Sequence, residues 1–342
     1  MFSLIYLVVI NSLLVGFCLK IKFLQRRWIG LAFVSNLIEI KKRIASISST
    51  IKVTKVMHMI ATSKIAKIKQ KIVAVDKYND NANQIMKLYL KYTLDRQEVE
   101  KYMLKTKKQS ETYQGAVEEV FKKKLYILFS SDKGTCGAVN TNLFKEMINI
   151  LEQDKKCGCQ VTILPIGKKA NQFVQSNNGK LGFNVAVLDN IVCAELFDSK
   201  AINKIVEKVV DEYDNNEFDS IELVYQKYKN IITCYPLKQM VLPFSQDGLL
   251  NDSEKKEDDF INIDEAEGTI RSIVEFFVKT KLQVAYVSNL ASIFSSRMNA
   301  MDNATKNGQE IIDELLIKYN KGRQAHITSE LSDIVSGFEA IS

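Results

Sequence analysis

Proline, histidine and tryptophan are nearly missing from this 342-residue chain, which has three, two and one of them. The prolines are Pro165, Pro236 and Pro243, so nothing of that kind interrupts a helix on either side of this central window. With His58 and His326 as the only imidazoles, Ser/His/Asp and Cys/His catalysis finds no constellation. The six cysteines, at 18, 136, 157, 159, 193 and 234, give no metal-ligand spacing. Even Cys157-Gly158-Cys159 is one residue short of the usual pair. Reduced, mostly buried thiols are expected. Glycine is sparse where it matters most: from Ser272 to Ser342 there are only Gly308, Gly322 and Gly337. Acidic residues are absent between Ile40 and Val75, where nine Lys or Arg stand alone.

Both chain ends are built as long helices. Leu290, Phe294, Met298, Met301, Thr305, Gly308, Ile312, Leu315 and Tyr319 recur in steps of four and three. A helix over this whole C-terminal stretch would be on the order of 100 Å long at ~1.5 Å per residue. It cannot bury its own stripe, so it requires a second long helix. The N-terminal part supplies one: Leu37, Ile40, Ile44, Ile47, Ile51, Thr54, His58, Ala61, Ile65, Ile68, Ile72 and Val75 alternate threes and fours. A repeat of ~3.5 residues specifies a left-handed supercoil with a partner. An antiparallel shaft built from the two chain ends competes here with an ordinary helical bundle.

The first nineteen residues carry no charge, and Lys20, Lys22, Arg26 and Arg27 follow. A membrane anchor, a targeting segment and an extension with no part in the mature fold are the three readings. The third is preferred, because the heptads begin after Ser35-Asn36, which reads as an N-cap. The helical pattern then runs toward Gly115, with a bend or break expected at Asp76 to Asn81. The middle alternates. Leu125 to Phe129, Gln160 to Ile166, Phe183 to Leu188 and Ser220 to Tyr228 read as strands, with helices at Thr141–Glu152, Gly167–Ser176 and Ser199–Asp214 between them. Ile231 to Leu242, with Pro236 within it and Pro243 just after it, reads as an edge strand. The whole is an α/β layer with a largely parallel sheet. The expected division is 1–34 extension, 35–115 first shaft helix, 116–244 α/β domain, 245–268 acidic loop and 269–342 second shaft helix. That loop holds nine acidic residues and two lysines between Asp247 and Glu267.

Asp132-Lys133-Gly134-Thr135-Cys136-Gly137 sits between a strand and a helix, where phosphate loops sit. It lacks the glycine and lysine spacing that cradles phosphates, so it reads as a tight structural turn. The basic shaft calls for an acidic partner. A coiled-coil nucleic-acid-binding protein is the alternative function, and a small α/β enzyme with helical arms a further one. The long helices lack the interleaved aromatics of nucleic-acid binders, which favours a protein partner.

Four segments carry a resemblance, in order. Ser35 to Lys64, centred on Lys52-Val53-Thr54-Lys55-Val56-Met57-His58-Met59-Ile60-Ala61, resembles the first helix of the gamma subunit of rotary (F-type) ATP synthases. Ser130 to Asn140 is similar to that family's turn after the first strand. Arg297-Met298-Asn299-Ala300-Met301-Asp302-Asn303-Ala304 resembles its second-helix motif, and Ile327 to Gly337 its C-terminal signature. The chain departs from the family at Phe338, where the signature continues with alanine. It departs again at Ser292-Ile293-Phe294, where the family has Ser-Glu-His and a polar contact is expected to be missing or replaced by packing.

The resemblance implies an antiparallel coiled coil of the two chain ends with a central Rossmann-like α/β foot. It implies a rotor subunit without a catalytic site or cofactor, coupling transmembrane proton flow to ATP synthesis inside a ring of alpha and beta subunits. The implied partners are those two subunits, the epsilon subunit and the membrane rotor ring, with no nucleic acid and no small-molecule substrate. The implied location is peripheral, on the cytoplasmic face of a bacterial inner membrane or the matrix face in a eukaryote. Met57, Arg297, Arg323, Gln324, Thr328 and Glu330 fall at positions implied to contact the catalytic ring. The basic face of 41–71 would meet acidic segments of the beta subunits, each exposed pair contributing only ~0–1 kcal/mol.

Overall fold

A computed structural model describes residues 37–90, 101–103, 121–177, 200–244 and 270–339 in full, and the backbone alone of 2–36, 91–93, 178–181, 184–185, 199 and 269. The expected acidic loop, 245–268, lies outside the described residues, as do the side chains of the 1–34 segment. The elements in chain order are α1 (Phe2–Thr93), β1 (Lys123–Phe129), α2 (Val139–Lys156), β2 (Gln160–Ile166) and α3 (Lys168–Leu181). Then come β3 (Asn184–Val185), α4 (Ser199–Asp214), β4 (Ser220–Tyr228), β5 (Cys234–Leu242) and α5 (Thr269–Glu339).

Two details of α1 differ from the sequence expectation. The helix passes through Ser35-Asn36 without a cap, and through Asp76 to Asn81 without a break. One helical hydrogen bond per residue outweighs the modest cost of Asn and Asp in a helix interior when the stripe beneath stays in contact. Helix was also expected toward Gly115, but Lys101 and Tyr102 form a turn and Met103 bridges Phe244. Here Phe244 N–H donates to Tyr102 O at 2.7 Å, and Tyr102 stacks on Tyr213 with centroids 5.8 Å apart.

Contacts divide the chain into one unit of 1–57 with 301–342 and another of 58–300. In the first, α1 and α5 run antiparallel, Thr54 and Thr305 sharing a hydroxyl hydrogen bond of 2.7 Å. Ile51 is 7 % exposed and packs on Gly308, where an added Cβ would come 2.8 Å from Ile51 Cγ1. Gly308 therefore serves close helix approach. The α1 stripe residues from Leu37 to Val75 are all buried or half-buried, while the basic residues between them are exposed. That is the covered stripe expected from the spacing.

In the second unit α1 and α5 pack through Ala61, Ile65 and Ile68 against Val287, Ala291 and Phe294. Lys281 Nζ donates to Asn79 Oδ1 and Asn83 Oδ1 at 2.8 Å each and lies 4.7 Å from the Phe277 ring centroid. Burial pushes this ammonium down to about 8, against partial support from Asp80.

The sheet order is β3-β2-β1-β4-β5, with the first four strands parallel and β5 antiparallel to β4 at the edge. Central β1 is buried on both faces, as a parallel strand covered by helices must be. Tyr126 and Leu128 face α2 and α3, meeting Leu143, Met147 and Val174. Leu125, Ile127 and Phe129 face the opposite way into a cluster with Ile205, Val209, Phe277 and Leu282. Asp154, 5 % exposed, accepts from Lys124 Nζ and Tyr126 Oη at 2.7 Å each. That pairing lets a carboxylate sit under the sheet.

Of the described cysteines only Cys136 is buried; Cys157 is exposed and Cys159 and Cys234 are half-buried, all free. The expectation of mostly buried thiols is thus corrected. Cys157 caps the exposed end of α2, where Gly158 at φ +72° turns the chain. No helix among the residues searched is long and apolar enough to cross a membrane. That says nothing of the 1–34 side chains, which lie outside the described residues.

Candidate functional site

In a doubly wound sheet, ligands bind at the carboxyl ends of the strands, where the strand order reverses. Here the chain leaves β1 for β2 on one side and returns to β4 on the other, so the switch lies between β1 and β4. The loops that open there are Ser130–Ala138 and Lys229–Thr233. They are occupied by α5. Ser296 Oγ donates to Cys136 O at 2.8 Å and Arg297 Nε to Thr135 O at 3.1 Å. Ser292 Oγ donates to Gln226 O at 3.2 Å, and Ile231 O accepts from both Ser295 Oγ and Asn299 Nδ2. The turn is therefore structural, as its missing phosphate-loop pattern predicts. Asn140 Nδ2 ties it from within by donating to Ser131 Oγ at 2.7 Å.

Gly137 has φ +60°, and an added Cβ would lie 2.8 Å from Ser296 Oγ. Only glycine allows the turn to press so closely on the helix. Beside it, Ile293 packs on Cys136 and Val139, and Phe294 packs in the helical pair. Lys64 Nζ and Arg297 Cζ lie 4.9 and 5.0 Å from the Phe294 ring centroid. Packing and two cation–ring contacts stand where the family has charge and imidazole.

The six positions singled out in the sequence separate into two sets. Arg297 is 8 % exposed and spends its guanidinium inside the chain, on Thr135 and Phe294. Met57, Arg323, Gln324, Thr328 and Glu330 are exposed. Met57 adjoins exposed Val53, Val56, Met59 and Ile60, on a helix whose Lys41, Lys42, Arg43, Lys52, Lys55, Lys64, Lys67, Lys69 and Lys71 are all exposed. Thr328 Oγ1 donates to Gln324 O at 2.9 Å, and His326 Nδ1 lies 3.4 Å from Glu330 Oε1. Beyond them Leu331, Ile334, Val335 and Phe338 expose apolar surface, Phe338 to 76 %. The α5 segment from Ser288 to Asn299 is the part that sequence reasoning missed. Its signal was a serine-rich run inside an otherwise apolar helix, a composition that costs helix propensity unless the hydroxyls have partners.

No three His, Cys, Asp or Glu side chains among the described residues converge to hold a metal. A cavity of about 190 Å³ between α1, α5 and the β4–β5 ribbon has Ile72, Val75 and Val287 as walls and Asp76 and Lys227 at its lining. The Asp76 carboxyl is raised by burial and by Asp80.

The comparisons with known proteins agree with this arrangement. The family model described as ATP synthase matches residues 36–341. The ATP synthase gamma chain of Pelagibacter ubique is 30 % identical over 313 residues, covering 90 % of this chain and 100 % of that one. That of Flavobacterium psychrophilum is 32 % identical over 308 residues, covering 90 % and 99 %. A chain of the Euglena gracilis mitochondrial ATP synthase in rotational state 3 shares the fold, with a TM-score of 0.57 at 17 % identity, covering 90 % of this chain and 95 % of its own. A chain of the central stalk and c-ring of the Tetrahymena thermophila mitochondrial ATP synthase aligns over 74 % of this chain and 99 % of its own, with a TM-score of 0.50 at 23 % identity. A matched span that begins where the heptads begin, and relatives covered over nearly their full length, leave one assignment: the chain belongs to the gamma-subunit family of F-type ATP synthases.

Proposed function

We propose that this chain is the central-stalk rotor subunit of an F-type ATP synthase, turning within a ring of alpha and beta subunits to couple transmembrane proton flow to ATP synthesis. The observation that carries the reading is the antiparallel pairing of α1 with α5, seen at Thr54 and Thr305 in one unit and at Ala61, Ile65 and Ile68 against Val287, Ala291 and Phe294 in the other, where the ligand crevice of the α/β layer is filled by α5. The reading assigns the chain no catalytic site or cofactor, so its part in the reaction is mechanical. Its partners are the alpha and beta subunits, the epsilon subunit and the membrane rotor ring, and its place is peripheral, on the cytoplasmic or matrix face.

Met57, Arg323, Gln324, Thr328 and Glu330 are the ring-facing contacts in this reading, because they stand exposed on the long helices. Arg297 serves the same coupling indirectly, by holding the turn after β1. The basic face of α1 meets acidic segments of the ring through weak, repeated pairs, which suit a rotor that must release each subunit in turn. Affinity retrieval of the tagged chain from detergent-solubilised membranes is the test. Co-recovery of a hexameric ATPase is expected. Recovery alone, or with nucleic acid, overturns the proposal.

A further inference from the structure

Four turns of α5 have two working faces. Val287, Ala291, Phe294 and Met298 form the apolar face toward α1. Ser288, Ser292, Ser295 and Asn299, spaced by four, three and four, face the end of β4 and the loop after it, and Ser296 and Arg297 face the turn after β1. Tyr228 N–H donates to Ser288 Oγ at 2.9 Å, and Gln226 N–H to Asn289 Oδ1 at 3.4 Å. The carbonyls of Thr135, Cys136, Gln226 and Ile231 take the donors named above. All of these acceptors are main-chain atoms, so their positions are set by the sheet and its loops and not by rotamers.

We propose that this polar seam is the joint that fixes the angular register of α5 on the α/β layer, and so the place where torque passes between them. The role rests on the rotor reading above. Apolar packing is non-directional and tolerates small sliding, whereas hydrogen bonds weaken steeply once their angles are lost. One residue of helical slip turns a side chain by about 100° and would break the whole seam. The same turn would lift the apolar face off α1, but twists of a few degrees leave that packing in contact while they strain the angles of the hydrogen bonds. Gly137 completes the joint by letting the β1 turn reach Ser296.

The experiment uses the assembled ATP synthase carrying Ser292→Ala, Ser296→Ala and Asn299→Ala together, with Val287→Ala as the control on the apolar face. Angular fluctuation of a probe on the α/β layer of a stalled single complex reads torsional stiffness. A fall on the order of twofold is expected in the seam variant, three directional bonds being lost, with ATP hydrolysis retained and proton pumping per ATP reduced. Val287→Ala is expected to lower the thermal midpoint and leave the stiffness alone. Wild-type stiffness in the seam variant, or an equal fall in the control, overturns the proposal. If the triple variant does not assemble, Ser296→Ala alone replaces it, and an unchanged fluctuation width there overturns the proposal as well. Amide exchange at Tyr228 in the full-length Ser288→Ala chain reads the seam without the complex, and is expected to quicken. Quickened exchange in a chain that joins no ATPase would sink the rotor reading while leaving the seam intact; unchanged exchange would sink the seam.

Discussion

At Gly308 two physical effects oppose one another, and their sizes decide the outcome. Alanine is better than glycine in a helix interior by up to about 1 kcal/mol. Its Cβ would nevertheless come 2.8 Å from Ile51 Cγ1, and overpacking a fitted site costs roughly 1–3 kcal/mol. Gly308→Ala is therefore expected to destabilise the chain by about 1 kcal/mol in denaturant unfolding. In an Ile51→Ala background the same change should become neutral or stabilising. A double-mutant cycle with no coupling would show that Gly308 does not set the helix separation.

Lys281 gives a pH signature. Its folded value is about 8 against an ordinary 10.5, so between these pH values the unfolded chain binds more protons at this site. Stability contributed by the group therefore rises as pH climbs from 8 toward 10.5 and is absent below 8. Relative to Lys281→Met, the wild type should gain on the order of 2 kcal/mol across that window, after allowing for the solvent that reaches its ammonium. Unfolding midpoints measured for both chains at several alkaline pH values check it, and parallel curves would refute it.

At the scale of elements, Arg323 and Gln324 are exposed on α5 and contribute little to folding. Replacing both with alanine should change unfolding free energy by less than about 0.5 kcal/mol while impairing ATP-driven rotation of the assembled complex. A large loss of chain stability with normal rotation would place them in the fold instead. Met57 is 37 % exposed, one residue before the half-buried His58. Met57→Lys adds a cation to an already basic face, deepening some rotary positions more than others. Normal assembly with a reduced ratio of proton pumping to hydrolysis is expected, and an unchanged ratio would reject the argument.

Helix pairing and the places of the strands were legible in the sequence because each leaves a local pattern, whereas the strand order was not. The α1 stripe follows threes and fours, and its members are the covered ones. Buried strands such as Leu125 to Phe129 show as short apolar runs between turns. What the sequence could not show depended on distant partners. Nothing near Asp76 to Asn81 reveals that the helix continues, since helical continuity there is decided by the packing beneath it. Arg297 reads as a free cation until Thr135 and Phe294 are placed beside it, both by tertiary contact. The serines of α5 look like poor helix formers until the carbonyls of Gln226 and Ile231 are known to face them.

For the molecule as a whole, the plugged crevice has a consequence for how the chain is made. Gln226 and Tyr228 are synthesised about sixty residues before Asn289 and Ser288, the groups that will accept their amides. Synthesis runs from the N-terminus at roughly 5–20 residues per second, so for several seconds the nascent chain holds the five described strands without their cork. During that interval its polar mouth is open to water and its apolar underside awaits Phe277 and Leu282, so a factor that shields nascent chains would find its substrate in this state. A chain ending at residue 287 contains every described strand, yet it is expected to be cut by protease between β4 and β5 far faster than the full-length protein. Resistance equal to the full chain would mean that the layer closes without its helix, and that the last part of the gene adds a rotor to a fold already finished.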